Sequence, residues 1–360
     1  MNWHERQLSF SDLDSDILKQ CGVTWQEIKR CVAVDPALPP LWSPLAYLMY
    51  FYAGDSVDRF WEEYRKMNRL RKCPEAHYYD MRLLERGKKA RDLSVPDGEL
   101  RRHQDFIQRE ILSQLSLPAC VTAYRKGYNI THCAAPHKHA EVLIHLDIRN
   151  FFGSISKENV KNALVIHAGY PVSVAKLLAD LCCCRDALPQ GAPTSPALSN
   201  LVFRFCDKQL MELAEQKGLV YTRYADDLFF SGPIERPWVL ISRVYMLLRT
   251  FGFQLNLDKT RIMRNGSAKK VMGLTVEDKV QVERSYRRAL RQEIYYVRRF
   301  GRNATAAKAA GDYVHYLRQL QGRVAYVLSV SPEDEEFLGA ARLLKTLLHQ
   351  ELYGRHKNYF

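Results

Sequence analysis

Apolar residues recur along this chain with two different periods, and the changes of period mark out its elements. Over residues 1–80, Trp25, Trp42, Tyr47, Tyr50, Phe51, Tyr52, Phe60, Trp61 and Tyr64 return between charged positions in the amphipathic manner. That spacing predicts a helical extension packed on a larger core, with base stacking as the competing use of the aromatics. From Lys88 to Pro96, KKARDLSVP is a basic cluster followed by a short alternating run, as in a strand after a turn. Asp97-Gly98 then marks a turn before a helical stretch to about Leu115, so a basic hairpin feeds a helix.

Val142-Leu143-Ile144-His145-Leu146 is a β-prone run that delivers Asp147 at its end. Leu219 to Tyr224 and Leu228 to Ser231 are two short β-like runs around Ala225-Asp226-Asp227, a hairpin with acids at its tip. Between these regions come a helical segment, the turn-rich stretch Leu188 to Pro196, and an amphipathic helix through about Gln216. After residue 283, RSYRRALRQEIYYVRRFGR reads as a helix with arginines on one broad face. A helical pair from about Ala306, interrupted near Ser329-Val330-Ser331-Pro332, follows to residue 360. There is no internal repeat, low-complexity tract or flexible linker.

Composition changes the picture in three respects. An apolar fraction of 47% with 26% charged residues is that of a chain that folds, and 360 residues give one large or several smaller cores. A net charge of +13 points to a polyanionic partner, because lysines and arginines that neutralise phosphates release condensed counterions; an anionic membrane surface is the rival. Nine cysteines, among them Cys182-Cys183-Cys184, show neither zinc spacing nor a regular framework, which fits a reducing cytoplasm with the triplet buried in helix packing. The start, Met1-Asn2-Trp3-His4-Glu5, lacks the signal-peptide pattern, and no apolar run approaches the ~20 residues of a membrane span. A soluble cytoplasmic protein without membrane partners is expected.

The acids carry the chemistry. Two adjacent aspartates on a hairpin, with a third at the end of another strand, are what a two-metal phosphoryl-transfer site needs. Hard divalent cations prefer carboxylate oxygens, and two of them about 3.5–4 Å apart activate an attacking hydroxyl and stabilise the leaving oxygen. Without cations, three close carboxylates would raise one another's pKa.

Tyr224-Ala225-Asp226-Asp227 resembles the signature of the reverse transcriptases, and the surrounding blocks come in that family's order: KKARDLSVP, AYRKGYNI, LDIRNFFGSIS, LPQGAPTSPALSNL, YADDLFFSG, GFQLNLDKTRI, VMGLTV and LQGRVAYVLSV. Within the family the chain is most similar to the bacterial, retron-type enzymes, then to group II intron relatives. The resemblance implies an α+β right-hand polymerase: a palm with an antiparallel sheet and flanking helices, interleaved fingers, and a helical thumb. It divides the chain into an N-terminal helical extension (1–80), interleaved fingers and palm (81–283), and an RNA-binding thumb (284–360). The implied activity is RNA-directed DNA polymerisation, a nucleotidyl transfer from dNTPs on an RNA template and RNA/DNA hybrid. Two Mg2+ ions serve it, with Mn2+ able to substitute. A cognate structured noncoding RNA, an effector protein and a role in antiviral defence belong to the same implication.

Carried over residue by residue, the resemblance makes Asp147, Asp226 and Asp227 the metal ligands, with the Ile148 carbonyl as an extra one. Phe152 becomes a steric gate against a 2′-hydroxyl, with Phe151 turned into the core by alternation along a strand. Arg91 contacts the triphosphate, with Lys88 or Lys89 as a second group. Gln190 lines the nucleotide pocket, where Gly191 lets the chain pass close to the nascent pair, and Lys259 protonates pyrophosphate. Arg287, Arg288, Arg291, Arg298 and Arg299 hold the template–primer or cognate RNA backbone as a group. The plainer readings are a solvated lysine for Lys259 and a solvated basic helix for the arginines. Two blocks depart from the retron pattern: Asn-Ala-x-x-His reads Cys133-Ala134-Ala135-Pro136-His137, and Val-Thr-Gly reads Val271-Met272-Gly273. His137 is open to RNA contact or to a satisfied structural role. A group II intron-like or other defence-associated reverse transcriptase, and an RNA-binding scaffold with little catalysis, stand as alternatives.

Overall fold

The computed structural model describes residues 44–52, 57–84, 90–304 and 311–353. Lys88, Lys89, Trp25, Trp42 and the Tyr50 side chain lie outside the described residues. Helices α1 (Pro44–Phe51) and α2 (Val57–Lys72) send Tyr47, Leu48, Met67 and Leu70 into the main core. Tyr47 is fully enclosed and its hydroxyl lies 3.0 Å from His103 Nδ1, while Phe51 stacks on the same imidazole at 4.1 Å. These two rings serve packing and not base stacking.

Strands β1 (Tyr78–Leu83) and β2 (Arg91–Pro96) form an antiparallel hairpin, and α3 (Gly98–Glu110) follows it. Asp97 caps that helix by accepting the Leu100 amide at 2.9 Å, which satisfies one of the donors a helix start leaves open. The hairpin that feeds a helix is therefore present as read. The central sheet is antiparallel in the order β4-β5-β3-β6, from β3 (Val142–Asp147), β4 (Val220–Tyr224), β5 (Asp227–Gly232) and β6 (Arg261–Arg264).

Strand β3 is apolar almost throughout because both of its faces are covered. Val142, Ile144 and Leu146 enter the main core, whereas Leu143 joins a second core together with Phe229 of β5 and Cys133 of α4 (Ile130–Ala134). Side chains alternate across a sheet, so Leu143, His145 and Asp147 share the face opposite the main core. That core is completed by α5 (Lys157–Ala168), α6 (Val172–Cys182), α7 (Ser195–Val202), α8 (Arg204–Glu215) and α9 (Pro237–Thr250). The single helix expected through Gln216 is two, broken at Phe203, whose ring is fully buried. Cys182, Cys183 and Cys184 are buried at the end of α6, the packing role expected of them.

The second core joins a small sheet, β7 (Lys270–Val271), β8 (Leu274–Val276) and β9 (Val280–Val282), to helices α10 (Arg284–Phe300), α11 (Tyr313–Val330) and α12 (Glu335–Tyr353). Strands of two and three residues leave too little pattern to be read from sequence. Packing thus groups the chain from about Lys270 onward with the last three helices. Among the described residues no helix is long and apolar enough to cross a membrane.

Candidate active site

The sheet register brings the three aspartates together. Asp147 at the end of β3 lies directly opposite Asp227, and Asp227 pairs with Tyr224, so Ala225 and Asp226 alone make the turn. Ala225 is left-handed at φ 55°, an unusual conformation for a residue with a Cβ. The turn is held from β3 by the Ile148 amide, which donates to the Asp226 carbonyl at 2.9 Å. The end of β3 is fixed on its other side, where the Asn256 amide donates to the Asp147 carbonyl and the Arg149 amide to that of Gln254, each at 2.8 Å.

Negative charge at this tip is only partly matched. Asp147 is buried and its Oδ2 takes a hydrogen bond from Lys259 Nζ at 2.7 Å. That bond raises the Lys259 pKa, and the ammonium stays largely exposed to solvent while engaged with Asp147. Asp227 Oδ1 lies 2.6 Å from His145 Nε2, and the His145 ring stacks on Phe229 with centroids 4.7 Å apart. Asp226 has its pKa raised by burial and then by the charges of Asp227 and Asp147, against which Lys259 acts. A cation would relieve that excess, and the donors are hard carboxylate oxygens, so the residues fit divalent metal by their chemistry. Among the described residues no group of three or more His, Cys, Asp or Glu is already drawn together as a metal centre.

The nucleotide residues fall on two elements that touch. Arg91 opens β2 and is exposed, and Gln190 is exposed on the loop before α7. The Ser94 amide donates to the Gln190 carbonyl at 2.7 Å, tying that loop to Arg91's strand. Gly191 has φ 118°, and a Cβ there would stand 3.0 Å from the Ser94 carbonyl oxygen. The hairpin contact is therefore a sufficient reason for glycine, one distinct from approach to a nascent pair. Phe151 is buried against Phe203 and Phe253, and Phe152 is half-buried with one side against the same core. Phe152 begins a 3₁₀ turn, so strand alternation is not what separates the two rings.

The five arginines of α10 do not form one surface. Arg287 pairs with Asp334 and Arg291 with Glu336, the latter at 2.7 Å, and both lie over the Phe337 ring at 5.5 and 5.7 Å. Those two fasten α10 to the start of α12. Arg288, Arg298 and Arg299 remain exposed, and Arg284, Arg288, Gln292, Tyr295 and Arg299 recur at helical spacing along the outer face. His137 is fully enclosed, with Nδ1 2.7 Å from Ser231 Oγ and Nε2 2.7 Å from Thr222 Oγ1. Burial lowers its pKa to about 4, so it is a neutral brace behind the hairpin and does not reach RNA.

Sequence reasoning passed over His145, Arg223, Asp207 and Tyr124. Tyr124 is left-handed at φ 57°, half exposed, and its pKa is raised by burial and then by Asp226. The first two had a readable signal, a basic residue inside a short, β-prone and mainly buried run, which must be paired to be tolerated.

Comparison with known proteins agrees with this geometry. The profile of the family described as "Reverse transcriptase (RNA-dependent DNA polymerase)" matches residues 83–282. The retron Mx65 reverse transcriptase of Myxococcus xanthus is 32% identical over 308 residues, covering 79% of this chain and 68% of that protein. The retron Ec86 enzyme of Escherichia coli is 32% identical over 213 residues, 58% of this chain and 66% of that one. The retron Mx162 enzyme of Myxococcus xanthus is 30% identical over 291 residues, 71% and 58%. The chain thus spans about two thirds, or less, of the length of these curated relatives. Among solved structures, a Candida albicans telomerase in complex with a telomeric RNA fragment overlaps with a TM-score of 0.44 at 9% identity, covering 81% of this chain and 65% of that one. Divalent metal ions are in general use across the matched family. The chain belongs to the reverse transcriptase family, with the right-hand polymerase fold and the RNA-directed DNA polymerase class that this entails, and its likeness is to the retron-type members.

Proposed function

We propose that this chain copies a structured RNA into DNA by two-metal phosphoryl transfer, with Asp147, Asp226 and Asp227 as the metal-holding carboxylates. The observation that carries the reading is the register of β3 against β5, which sets Asp147 opposite Asp227 with Asp226 at the adjoining turn. Bound at these carboxylates, two Mg2+ ions would lower the pKa of the primer hydroxyl and stabilise the charge on the leaving pyrophosphate. Their charge would offset the mutual repulsion of Asp147 and Asp226 that burial intensifies. Lys259, whose ammonium stands 2.7 Å from Asp147, supplies the proton to pyrophosphate. Arg91 binds the incoming triphosphate and Gln190 lines the pocket wall, the strand of one and the loop of the other being joined at Ser94. Phe152 excludes the 2′-hydroxyl, since it keeps part of its ring exposed while Phe151 is fixed in the core.

The exposed arginines of α10, Arg288 and Arg299 on the outer face and Arg298 beside it, grip the nucleic-acid backbone without reading sequence. The likeness to retron enzymes supports a cognate noncoding RNA as template, an effector protein as partner and antiviral defence as the setting. Expression of the chain with its native upstream DNA, followed by sequencing of RNase-resistant DNA, tests this reading. A discrete short DNA that stays linked to RNA and vanishes with Asp226→Asn and Asp227→Asn is the expected result. DNA that persists in that double variant would overturn the assignment of the carboxylates.

A further inference from the structure

The strand that leads into the catalytic turn carries a charge where a buried strand should carry none. Arg223 precedes Tyr224, and its guanidinium is fully enclosed together with the carboxylate of Asp207 on α8. A guanidinium removed from water is tolerated only when its donors are matched. Nε and Nη2 donate to the two oxygens of Asp207 at 2.8 and 2.6 Å, the fork geometry that arginine alone offers. Nη1 donates to Asn200 Oδ1 at 3.0 Å and to the main-chain carbonyl of Ala225 at 3.1 Å. The group lies over the Phe203 ring at 4.7 Å, and Asp207 also accepts from the Tyr221 hydroxyl at 2.9 Å.

These partners are the elements whose mutual placement defines the site. Asn200 sits on α7, the helix that follows the Gln190 loop, and its amide donates to the Ala123 carbonyl, next to Tyr124, at 3.1 Å. The Arg223 main chain is engaged as well: its amide donates to the Cys120 carbonyl at 2.8 Å, and its carbonyl accepts from the Thr122 amide at 3.0 Å. A left-handed Ala225 persists only if its surroundings over-determine it. Two consecutive carbonyls of the turn are gripped, that of Ala225 by Arg223 and that of Asp226 by the Ile148 amide.

We propose that Arg223 is a positioning residue for catalysis: clamped by Asp207, it fixes the Ala225 carbonyl and so the direction of Asp226 before metal or nucleotide arrives. The inference rests on the reading of Asp226 as a metal ligand. A buried ion pair with only a packing role is replaceable by apolar side chains of similar volume, whereas a clamp on the turn is not. Misplacement of a reacting group by about 1 Å costs on the order of 100-fold in rate.

The test uses the full chain in single-nucleotide extension on an RNA template, with Mg2+ titrated and thermal melting recorded for each protein. The double variant Arg223→Met, Asp207→Leu is expected to keep a cooperative melt near that of the parent chain. Its kcat should fall on the order of 100-fold with dNTP KM nearly unchanged, and its half-saturating Mg2+ should rise severalfold. Parental kcat and Mg2+ dependence in that variant would overturn the proposal. If the double variant does not fold, Arg223→Lys decides, because it keeps a cation beside Asp207 but has no second arm for Ala225. The same kcat loss at unchanged KM supports the clamp, and activity in proportion to the folded fraction overturns it. A parent chain that incorporates no nucleotide would overturn the polymerase reading and the inference with it, a failure visible before any substitution.

Discussion

Arginine is used in opposite ways at the two ends of this molecule. Beside the catalytic turn, Arg223 is enclosed and nearly every donor it has meets a fixed acceptor. On α10, Arg288, Arg298 and Arg299 stand in water, and Arg287 and Arg291 are partly exposed pairs that hold α12. The first arrangement gives position at the cost of desolvation and fails if one partner is removed. The second gives long-range attraction to phosphate, tolerant of substitution and sensitive to salt. The same side chain thus serves two kinds of physics, enclosed position at the turn and exposed positive charge on α10.

The comparison breaks most sharply at the carboxylates. Asp226→Asn should lower nucleotide incorporation by roughly 1,000-fold or more, since several kcal/mol of charge stabilisation depend on the metal site. The same variant should melt at or above the parent temperature, because burial and neighbouring charge already raise the Asp226 pKa and make its ionisation costly. Extension assays alongside thermal melts check both halves, and a large fall in melting temperature would count against the reading.

Behind the hairpin, His137→Ala removes the brace shared by Ser231 and Thr222 and leaves both hydroxyls without it. A destabilisation of about 2–4 kcal/mol in urea unfolding is expected, against near zero for a substitution at exposed Arg288. The pH dependence has a definite sign. The folded-state pKa of His137 is lowered from 6.5 to about 4, so its contribution is present above pH 6.5 and is lost as pH falls toward 4. At 1.36 kcal/mol per unit that loss is at most about 3 kcal/mol. His103, whose pKa burial also lowers to about 4, adds a similar slope. His137→Gln should roughly halve the pH slope between those limits in unfolding experiments; an unaltered slope would mean that other groups set it.

On α10, replacing Arg288, Arg298 and Arg299 by Gln should weaken RNA binding with little change in melting temperature. The slope of log K against log salt should fall by about 2, at ~0.7 per phosphate contact on a single strand. Arg287→Ala should do the reverse, costing roughly 1 kcal/mol of stability with a smaller effect on the slope. Binding titrations at several salt concentrations separate the two sets. The smallest effect belongs to Phe152→Ala, which should admit ribonucleotides by roughly 10-fold relative to deoxyribonucleotides. Competition assays read it directly, and unchanged discrimination would refute the gate.

Much of the fold was legible because it depends on local pattern. The run Val142 to Leu146, the Asp-Asp hairpin, the β2 to α3 passage and the arginine-bearing α10 each carry a period or a turn signal within about twenty residues. The small β7-β8-β9 sheet, the break at Phe203 and the early start of the second core carry none. The site followed the same rule. Asp147, Asp226 and Asp227 could be proposed because acids at the ends of apolar strands are rare, whereas the split of the α10 arginines needed the position of Asp334 and Glu336 at the start of another helix.

What the sequence determined by itself was the identity of the carboxylates, the strands that deliver them and the excess of positive charge. Those follow from side-chain chemistry and short-range periodicity. Only the tertiary structure decided that Lys259 and His145 meet two of those carboxylates, that His137 is a neutral brace and that Arg223 grips Ala225. Each of these contacts closes between residues held at their distance by other elements, and burial then sets its strength. A one-dimensional pattern encodes which groups are present, and the packed chain alone sets which of them meet.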